Sequence, residues 1–182
     1  MSKELVVFID CGDTIVDEST QLFAENGDVL SAEAFPGAEQ MLRDLRAQGY
    51  RIALVADGRT ASFTNILLRL GLNDLFEAKV ISEEVGAVKP AASMFETALA
   101  AMGLTKNDAS RIAMIGNNLK RDIVGANRMG IISILMSTSP RYVMQPETPE
   151  EVPDYVVALP CEVVGLLEQL ELQIRNRRVL QE

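Results

Sequence analysis

The chain has 182 residues, a length that favours one domain with a sizeable buried core. Hydrophobic residues make up 48% and charged residues 24%, as in an ordinary soluble protein, and the net charge of −9 argues against nucleic acid or an anionic membrane as partner. No apolar run approaches the roughly 20 residues that span a bilayer, and no basic leader precedes the first apolar run. A cytoplasmic location is therefore the expectation.

The sequence contains no histidine, which excludes Ser-His and Cys-His nucleophile pairs and every His-ligated metal site. Its two cysteines, Cys11 and Cys161, are too few and too far apart for a disulfide framework or a zinc site. Neither a P-loop nor a G-x-G-x-x-G motif is present, which argues against the usual kinds of nucleotide hydrolysis and dinucleotide binding. Acid–base chemistry must then use other side chains.

The first predicted strand, residues 5–9, is apolar throughout and runs directly into two carboxylates, Asp10 and Asp13. A continuous apolar run is typical of a strand buried on both faces of a parallel sheet. Ligands of such sheets bind outside the carboxyl ends of the strands, where Asp10 would emerge. Taken alone, the stretch is explained equally well by an ordinary Asp/Gly turn after a strand.

Residues 18–35 have no helical period and predict a small β-hairpin flap. Asn26-Gly27 lies between two apolar pairs, Leu22-Phe23 and Val29-Leu30, and Asn-Gly in that setting favours a hairpin turn.

Residues 36–136 then alternate four times between a helix and a strand. Each predicted helix ends in glycine followed by an apolar residue, which is the pattern of a left-handed helix C-cap. These glycines are Gly49, Gly71, Gly103 and Gly130, and the strands are predicted at Arg51–Val55, Ala78–Ile81, Ile112–Ile115 and Ile131–Met136. The alternation predicts a three-layer αβα, Rossmann-like, doubly wound parallel sheet of five or six strands.

The remainder changes character. Residues 137–153 carry four prolines and predict an extended surface loop, followed by an edge strand at Asp154–Val157 and an amphipathic helix at about 161–178. The basic and then acidic tail, residues 175–182, is expected to fray or to make a subunit contact, which leaves a homodimer open. Neither a repeat nor a linker divides the chain, so residues 1–182 are predicted to form a single α/β domain.

Polar residues follow three of the strands, and a lysine precedes the third helix. The groups are Asp10, Asp13 and Thr14; Ala56, Asp57 and Gly58; Lys89 and Pro90; and Gly116, Asn117, Asn118 and Asp122. Each has a structural explanation when taken alone: a turn, a helix start, a helix N-cap, or a solvated helix position. Their joint order at strand ends favours a functional site.

In this set of residues the chain resembles the haloacid-dehalogenase-like (HAD) phosphohydrolase superfamily. The resemblance covers about residues 4–136, and its most specific parts are GAVKPAASMF at 86–95 and IGNNLKRDIVGANRMGI at 115–131. It implies a Mg²⁺-dependent phosphomonoester phosphatase that works through an aspartyl-phosphate, a recognised form of covalent catalysis. It resembles the members that lack a separate cap domain, because neither inter-motif segment has room for one.

The resemblance implies three overlapping sets of site residues. Asp10 corresponds to the nucleophile, Lys89 to the cation that orients it, and Asp122 to a residue that acts on the metal or on Lys89. The catalytic set is Asp10, Asp13 and Lys89; the phosphate-binding set is Ala56, Asp57, Gly58 and Lys89; and the metal set is Asp10, the Gly12 carbonyl, Asn117 and Asp122.

Three positions depart from the family pattern. Gly12 stands where the hydrolases usually carry a second Asp as general acid and base, and Asp13 follows where glycine is usual. Loss of such a group typically costs 10²–10⁴-fold in rate, and Asp13 is the nearest replacement, although adjacent residues in an extended turn point in different directions. Ala56 and Asp57 replace the usual Ser or Thr and Asn. Asn117 replaces an acidic metal ligand.

Two functions follow from these matches and departures. The first is a phosphatase acting on a small phosphorylated molecule, or on a larger phosphorylated substrate that an open site would admit. The alternative is a catalytically weakened HAD-fold protein that binds a ligand or partner without turnover. A dehalogenase and a response-regulator receiver fit less well, because the spacing from Gly116 to Asp122 suits Mg²⁺ and Asp10 follows the first strand.

Overall fold

The computed structural model describes residues 3–179 and has a six-stranded parallel sheet at its centre. The strand order is β5-β4-β1-β6-β7-β8, so the chain winds outward from β1 in both directions. The sheet strands are β1 Val6–Ile9, β4 Arg51–Ala56, β5 Ala78–Ile81, β6 Ile112–Gly116, β7 Ile132–Met136 and β8 Tyr155–Val157. A separate antiparallel hairpin is formed by β2 Val16–Phe23 and β3 Val29–Ala34.

Helices cover both faces of the sheet. They are α1 Ala38–Ala47, α2 Thr60–Arg69, α3 Ser82–Val85, α4 Ala92–Ala101, α5 Val124–Met129 and α6 Pro160–Val179. Short 3₁₀ turns lie at Asn73–Leu75, Lys106–Arg111 and Pro149–Glu151, and a π turn at Leu119–Ile123 leads into α5.

Strand β1 shows why its sequence is apolar without a break. Val7 and Ile9 belong to the core layer that contains α1 and α6, whereas Val6 and Phe8 belong to the layer that contains α4. All four side chains are fully buried. Because both faces of the strand are covered, neither face tolerates a polar residue, and the first polar side chain appears where the strand ends.

Most predicted elements are confirmed, including the doubly wound sheet and the hairpin. The four predicted helix-capping glycines have φ angles of 90°, 64°, 66° and 69°. At each one, the amide of the following apolar residue donates to a carbonyl in the last turn of the helix, as Tyr50 does to Leu45 at 3.0 Å.

The hairpin is fastened to α2 through β3 and the turn before it. The Val29 amide donates to Ser62 Oγ at 2.9 Å, and Asn65 Nδ2 donates to the Val29 carbonyl at 3.0 Å. Arg59 donates to the Asn26 carbonyl at 2.8 Å and pairs with Asp28 at 2.9 Å.

Two local features differ from the predicted elements. The structure adds the one-turn helix α3 directly after β5, and the helix predicted to contain Leu119 begins as a π turn. The C-terminal helix was predicted at 161–178 and runs from Pro160 to Val179, so it includes the first residues of the tail that was expected to fray or to make a subunit contact. Residues 180–182 lie outside the described part of the chain. No helix within residues 3–179 is long and apolar enough to cross a membrane.

Candidate active site

The predicted polar groups meet at the carboxyl edge of the sheet, around one small pocket. Five of the predicted metal, catalytic and phosphate-binding residues line it with Asp10, namely Gly12, Asp57, Lys89, Asn117 and Asp122. Four other residues complete the lining: Glu18, Asn118, Arg121 and Tyr142. Parallel strands β1, β4 and β6 are neighbours in the sheet, which is why residues distant in sequence converge here.

The Lys89 ammonium lies at the centre of the site and is buried. Its Nζ donates to Asp10 Oδ1 and to Asp122 Oδ1, each at 2.7 Å, and to the Val55 carbonyl at 2.8 Å. Burial lowers the pKa of Lys89, but the carboxylates of Asp10 and Asp122 outweigh burial and raise the pKa above its usual range. An ammonium has three N–H groups, so these three bonds occupy all of them.

Asp122 is held on both of its oxygens. Oδ1 accepts from Lys89, and Oδ2 accepts from the Asn118 amide at 3.0 Å. Gly116 permits this approach, because a methyl group at that position would lie 2.6 Å from Cβ of Asp122. Burial raises the pKa of Asp122 to about 6, Lys89 opposes the rise, and the nearby Asp10 carboxylate adds to it. Asp122 is therefore engaged with Lys89 and the Asn118 turn.

Asp10 has the setting expected of a nucleophile. Its amide donates to the Ile115 carbonyl at 2.9 Å, which extends the pairing of β1 with β6 to the site itself. Lys89 holds Oδ1, which leaves Oδ2 for a substrate or a cation. The neighbouring Cys11 is not a competing nucleophile, because burial, together with Asp10, raises the pKa of its thiol far above the usual range.

The predicted phosphate-binding residues are largely engaged with the protein. Ala56 is fully buried and has no polar side chain. The Gly58 amide donates to Ser82 Oγ at 2.8 Å, in the helix α3 that the sequence did not predict. Asp57 Oδ1 accepts from the Lys89 amide at 3.0 Å, and Oδ2 lies 3.5 Å from Arg121. Asp57 thus fixes the segment that delivers Lys89 to the pocket.

Asp13 lies outside the pocket lining. Its backbone is left-handed, with φ of 52°, and its carboxylate is buried. Oδ1 accepts from the Glu18 amide at 3.2 Å, and Oδ2 forms an ion pair with Arg141 of the 137–153 loop. The structure therefore does not bring Asp13 together with the other predicted catalytic residues.

Glu18, at the start of the hairpin, was not predicted to be a site residue. Its carboxyl lies in the space beside Gly12: a methyl group on Gly12 would overlap Oε1 and would come within 2.8 Å of Cδ. Burial raises the pKa of Glu18 above its ordinary value, as does the neighbouring Asp13. The one signal in the sequence was Gly12 itself, because a glycine in place of an acid leaves room for a side chain from another segment. The sequence did not indicate which side chain that would be.

Arg121, which was not predicted to be a site residue, and Tyr142 also line the pocket. Arg121 lies on the π turn. Asn118 caps the start of this turn, because Asn118 Oδ1 accepts from the amides of Lys120 and Arg121 at 3.0 and 3.2 Å. Tyr142 comes from the 137–153 segment, which was predicted as an extended surface loop. The loop therefore contributes directly to the site.

The donor set suits a hard cation that keeps part of its shell for substrate and water. Within residues 3–179, no three Asp, Glu, Cys or His side chains converge as a complete cation site. The Asp10 carboxylate, the Gly12 carbonyl and the Asn117 amide oxygen are nonetheless all oxygen donors at one pocket, which matches the few protein ligands that Mg²⁺ takes. Asn117 is buried, and its Nδ2 has no hydrogen-bond partner among the described residues, as expected of an amide that meets a ligand.

A family model agrees with this geometry. The model of the haloacid dehalogenase-like hydrolases matches residues 5–130, which include every pocket residue except Tyr142. The chain belongs to this family.

Known proteins of the family share both the sequence pattern and the fold. A glyceraldehyde 3-phosphate phosphatase of Methanopyrus kandleri is 30% identical over 136 residues, which cover 75% of this chain and 57% of that protein. The chain spans about half the length of the curated relatives it matches.

Two solved structures share the fold. A HAD phosphatase from Thermococcus onnurineus superposes with a TM-score of 0.72 at 16% identity, covering 90% of this chain and 97% of that one. The putative HAD-hydrolase YfnB from Bacillus subtilis, whose structure was solved bound to magnesium, has a TM-score of 0.65 at 24% identity, covering 74% and 56% of the two chains.

Proposed function

We propose that this protein is a phosphomonoester phosphatase that forms an aspartyl-phosphate on Asp10. The observation that carries the proposal is the buried Lys89 ammonium, which bonds Asp10 Oδ1 and leaves the other carboxylate oxygen for the phosphorus atom. An ionised carboxylate is the form that attacks phosphorus, and the Lys89 bond orients this carboxylate in the pocket. Membership of the family and the phosphatase names of its relatives support the same reaction class.

The cofactor of the proposed reaction is Mg²⁺. Asp10, the Gly12 carbonyl and Asn117 would hold it, and Asp122 would act indirectly, by fixing Lys89 and the Asn118 turn. Bound there, the cation would neutralise phosphate charge. Asn117 is neutral where an acid is usual, so metal affinity is expected to be lower than with a third carboxylate.

The phosphate group needs donors other than Lys89. Because all three Lys89 N–H groups are committed within the protein, the positive charge of Lys89 acts on the phosphate through space. Arg121 and the unpartnered Nδ2 of Asn117 are the donors at the pocket that would bind phosphate oxygens, and charged donors make the stronger bonds. The wall formed by Tyr142 favours a phosphorylated small molecule as substrate over a large one.

A panel of phosphomonoesters with Mg²⁺ tests the proposal, with wild type compared against Asp10→Asn. We expect wild-type turnover and no measurable turnover by Asp10→Asn, because an amide oxygen is too weak a nucleophile. Asp74→Asn is the matched control, since Asp74 is exposed and lies before β5, at the opposite edge of the sheet. Turnover that survives in Asp10→Asn would overturn the nucleophile assignment.

The second candidate is a protein that binds a phosphorylated ligand without turnover, and Gly12 is the observation that favours it. In that case wild type would turn over none of the esters, while inorganic phosphate with Mg²⁺ would still bind in calorimetry. The two functions therefore give opposite results in the same panel.

A further inference from the structure

We propose that Glu18 is the general acid and base of the site and takes the place of the side chain missing at Gly12. The inference rests on the proposed phosphatase function. It concerns a residue of the hairpin, outside the polar groups that follow the sheet strands.

The space at Gly12 is the first argument. An acid at position 12 would start from a Cβ that overlaps Glu18 Oε1 and lies 2.8 Å from Glu18 Cδ. The Glu18 carboxyl thus occupies the volume into which a side chain at position 12 would project. Only glycine at position 12 leaves this volume to a residue from elsewhere in the chain.

The partners of the other carboxyl groups supply the second argument. Four acidic side chains line the pocket, and three of them accept hydrogen bonds from the Lys89 segment: Asp10 and Asp122 from its ammonium, Asp57 from its amide. Glu18 differs, because its nearest described cation, Arg141, is 4.0 Å from Oε2 and thus beyond hydrogen-bond distance. Among the described residues, Glu18 is therefore the pocket carboxyl that no hydrogen bond engages, which leaves it available for proton transfer.

Asp13 does not compete for this role. Arg141 and the Glu18 amide engage its two oxygens, and its side chain is buried away from the pocket lining. Its contact with the Glu18 amide instead holds the backbone of residue 18 in place. Asp13 is thus a positioning residue for Glu18.

The proposed role closes the reaction in two balanced steps. Asp10 Oδ2 attacks phosphorus, the bond from phosphorus to the ester oxygen breaks, and that oxygen takes the proton of the Glu18 carboxyl and leaves as an alcohol. Glu18, now a carboxylate, takes a proton from water as the water oxygen attacks phosphorus. The bond to Asp10 breaks, inorganic phosphate leaves, and Glu18 is again protonated.

The test compares wild type, Glu18→Gln and Glu33→Gln on two classes of ester, with Mg²⁺ present. Glu33 is the matched control, because it is an exposed glutamate on the other strand of the same hairpin. For alkyl phosphates, whose alcohols leave poorly without a proton, kcat of Glu18→Gln is expected to fall by about 10²–10⁴-fold. For 4-nitrophenyl phosphate, whose phenolate leaves unaided, formation of the aspartyl-phosphate should change little, and acid-quenched enzyme should accumulate it.

A rescue pair gives a second readout. Gly12→Asp should be less stable to urea than wild type, because its side chain overlaps Glu18. The double variant Gly12→Asp with Glu18→Ala removes the overlap, restores a carboxyl in the same volume and should recover stability and alkyl phosphate turnover together.

Three results would overturn the inference. Unchanged kcat in Glu18→Gln on both ester classes would show that no proton passes through Glu18. An equal loss in the rate of aspartyl-phosphate formation on both ester classes would assign Glu18 a structural role only. In both cases the phosphatase function stands, provided that Asp10→Asn is inactive. Absence of turnover by wild type would overturn the proposed function and this inference together.

Discussion

At the scale of single residues, Lys89 is the group on which the site depends most. It is a fully enclosed cation that bonds two carboxylates and a backbone carbonyl. A buried charged cluster of this kind adds little to the free energy of unfolding compared with an apolar core of the same shape. Removing one of its partners, however, lowers that free energy strongly. Removal of Lys89 alone is therefore expected to destabilise the fold by more than the whole charged cluster stabilises it relative to an apolar core.

Replacing Lys89 by Met should lower the free energy of unfolding by about 3–5 kcal/mol, because two buried carboxylates would face each other without a cation. Urea denaturation followed by circular dichroism measures the change. Lys79→Met is the matched control: Lys79 is exposed, donates to the Asn73 carbonyl, and should change stability by no more than about 0.5 kcal/mol. A loss below about 1 kcal/mol for Lys89→Met would contradict the burial and pairing described for it.

The sequence predicts which residues meet but not which way each one points. Asp10, Lys89, Asn117 and Asp122 follow from strand ends and motif order, and the structure brings them together. The direction of Asp13 depends on a left-handed backbone, which is uncommon outside glycine, and that of Glu18 depends on where the hairpin turns back. Neither property follows from sequence spacing, so Glu18 could not be predicted as a site residue from a segment that was predicted only as a flap.

At the scale of elements, the crossing of α4 and α5 shows how closely the helices pack against each other. Gly125, the second residue of α5, faces Phe95 of α4. A methyl group there would overlap the far edge of the buried Phe95 ring and lie 3.4 Å from Cα of Pro90. Gly125 thus lets α5 approach the segment that carries Lys89.

Gly125→Ala sets helix propensity against packing. Alanine favours a helix by about 1 kcal/mol over glycine, but the overlap with Phe95 should cost about 1–3 kcal/mol, so net destabilisation is expected. Gly165→Ala is the matched control, since Gly165 lies in α6 and, within residues 3–179, nothing beyond its chain neighbours and the local helix backbone would come within 4 Å of the added methyl group. It should stabilise the protein by about 0.5–1 kcal/mol. Thermal denaturation of both variants decides the matter, and stabilisation by Gly125→Ala would contradict the described crossing.

Strands and long helices were predictable because burial imposes a period on them, and the four capping glycines marked the helix ends. The π turn at Leu119–Ile123 was not predictable, since one extra residue in a single turn barely alters a helical period. The helix α3 is a single turn, too short to show a period at all.

At the scale of the whole molecule, Glu171 of α6 joins the last helix to the first strand. Its carboxylate accepts from the Leu5 amide at 2.9 Å and from the Glu4 amide at 3.1 Å, and Arg175 donates to it at 2.6 Å. The contact closes the chain across 166 residues and fixes the start of β1. Burial raises the pKa of Glu171, but the amides of Leu5 and Glu4 together with Arg175 outweigh burial, so the net pKa is lowered.

This bond predicts a pH-dependent stability. Because the pKa of Glu171 is lower in the folded state than in the unfolded state, its contribution is present above the unfolded value of about 4.3 and is lost as pH falls through the folded value. Glu171→Gln should lower the unfolding free energy by about 1–3 kcal/mol near neutral pH, and the difference from wild type should shrink in acid. The exposed neighbour Glu168 gives the control Glu168→Gln. A difference that is constant with pH would contradict the assignment.

Other expectations at this scale stay predictions: the single domain, the cytoplasmic location, the homodimer, and the exclusion of nucleic acid and membranes. These expectations depend on net charge and on surface residues. The strands and helices, in contrast, were predicted from the periodic burial of apolar side chains. An analysis of oligomeric state by ultracentrifugation would test the homodimer.

The attachment of the hairpin to α2 bears on how substrate would enter the site and how product would leave it. The Val29 amide donates to Ser62 and the Val29 carbonyl accepts from Asn65, so α2 holds the start of β3, the strand that pairs with the strand of Glu18. The 137–153 loop contacts the site differently, through Tyr142 in the pocket lining and through the ion pair of the partly exposed Arg141 with Asp13. Loops of this kind often set the rate of product release. For the proposed phosphatase, we therefore expect the release of phosphate past this loop, rather than bond breaking, to limit the rate of turnover.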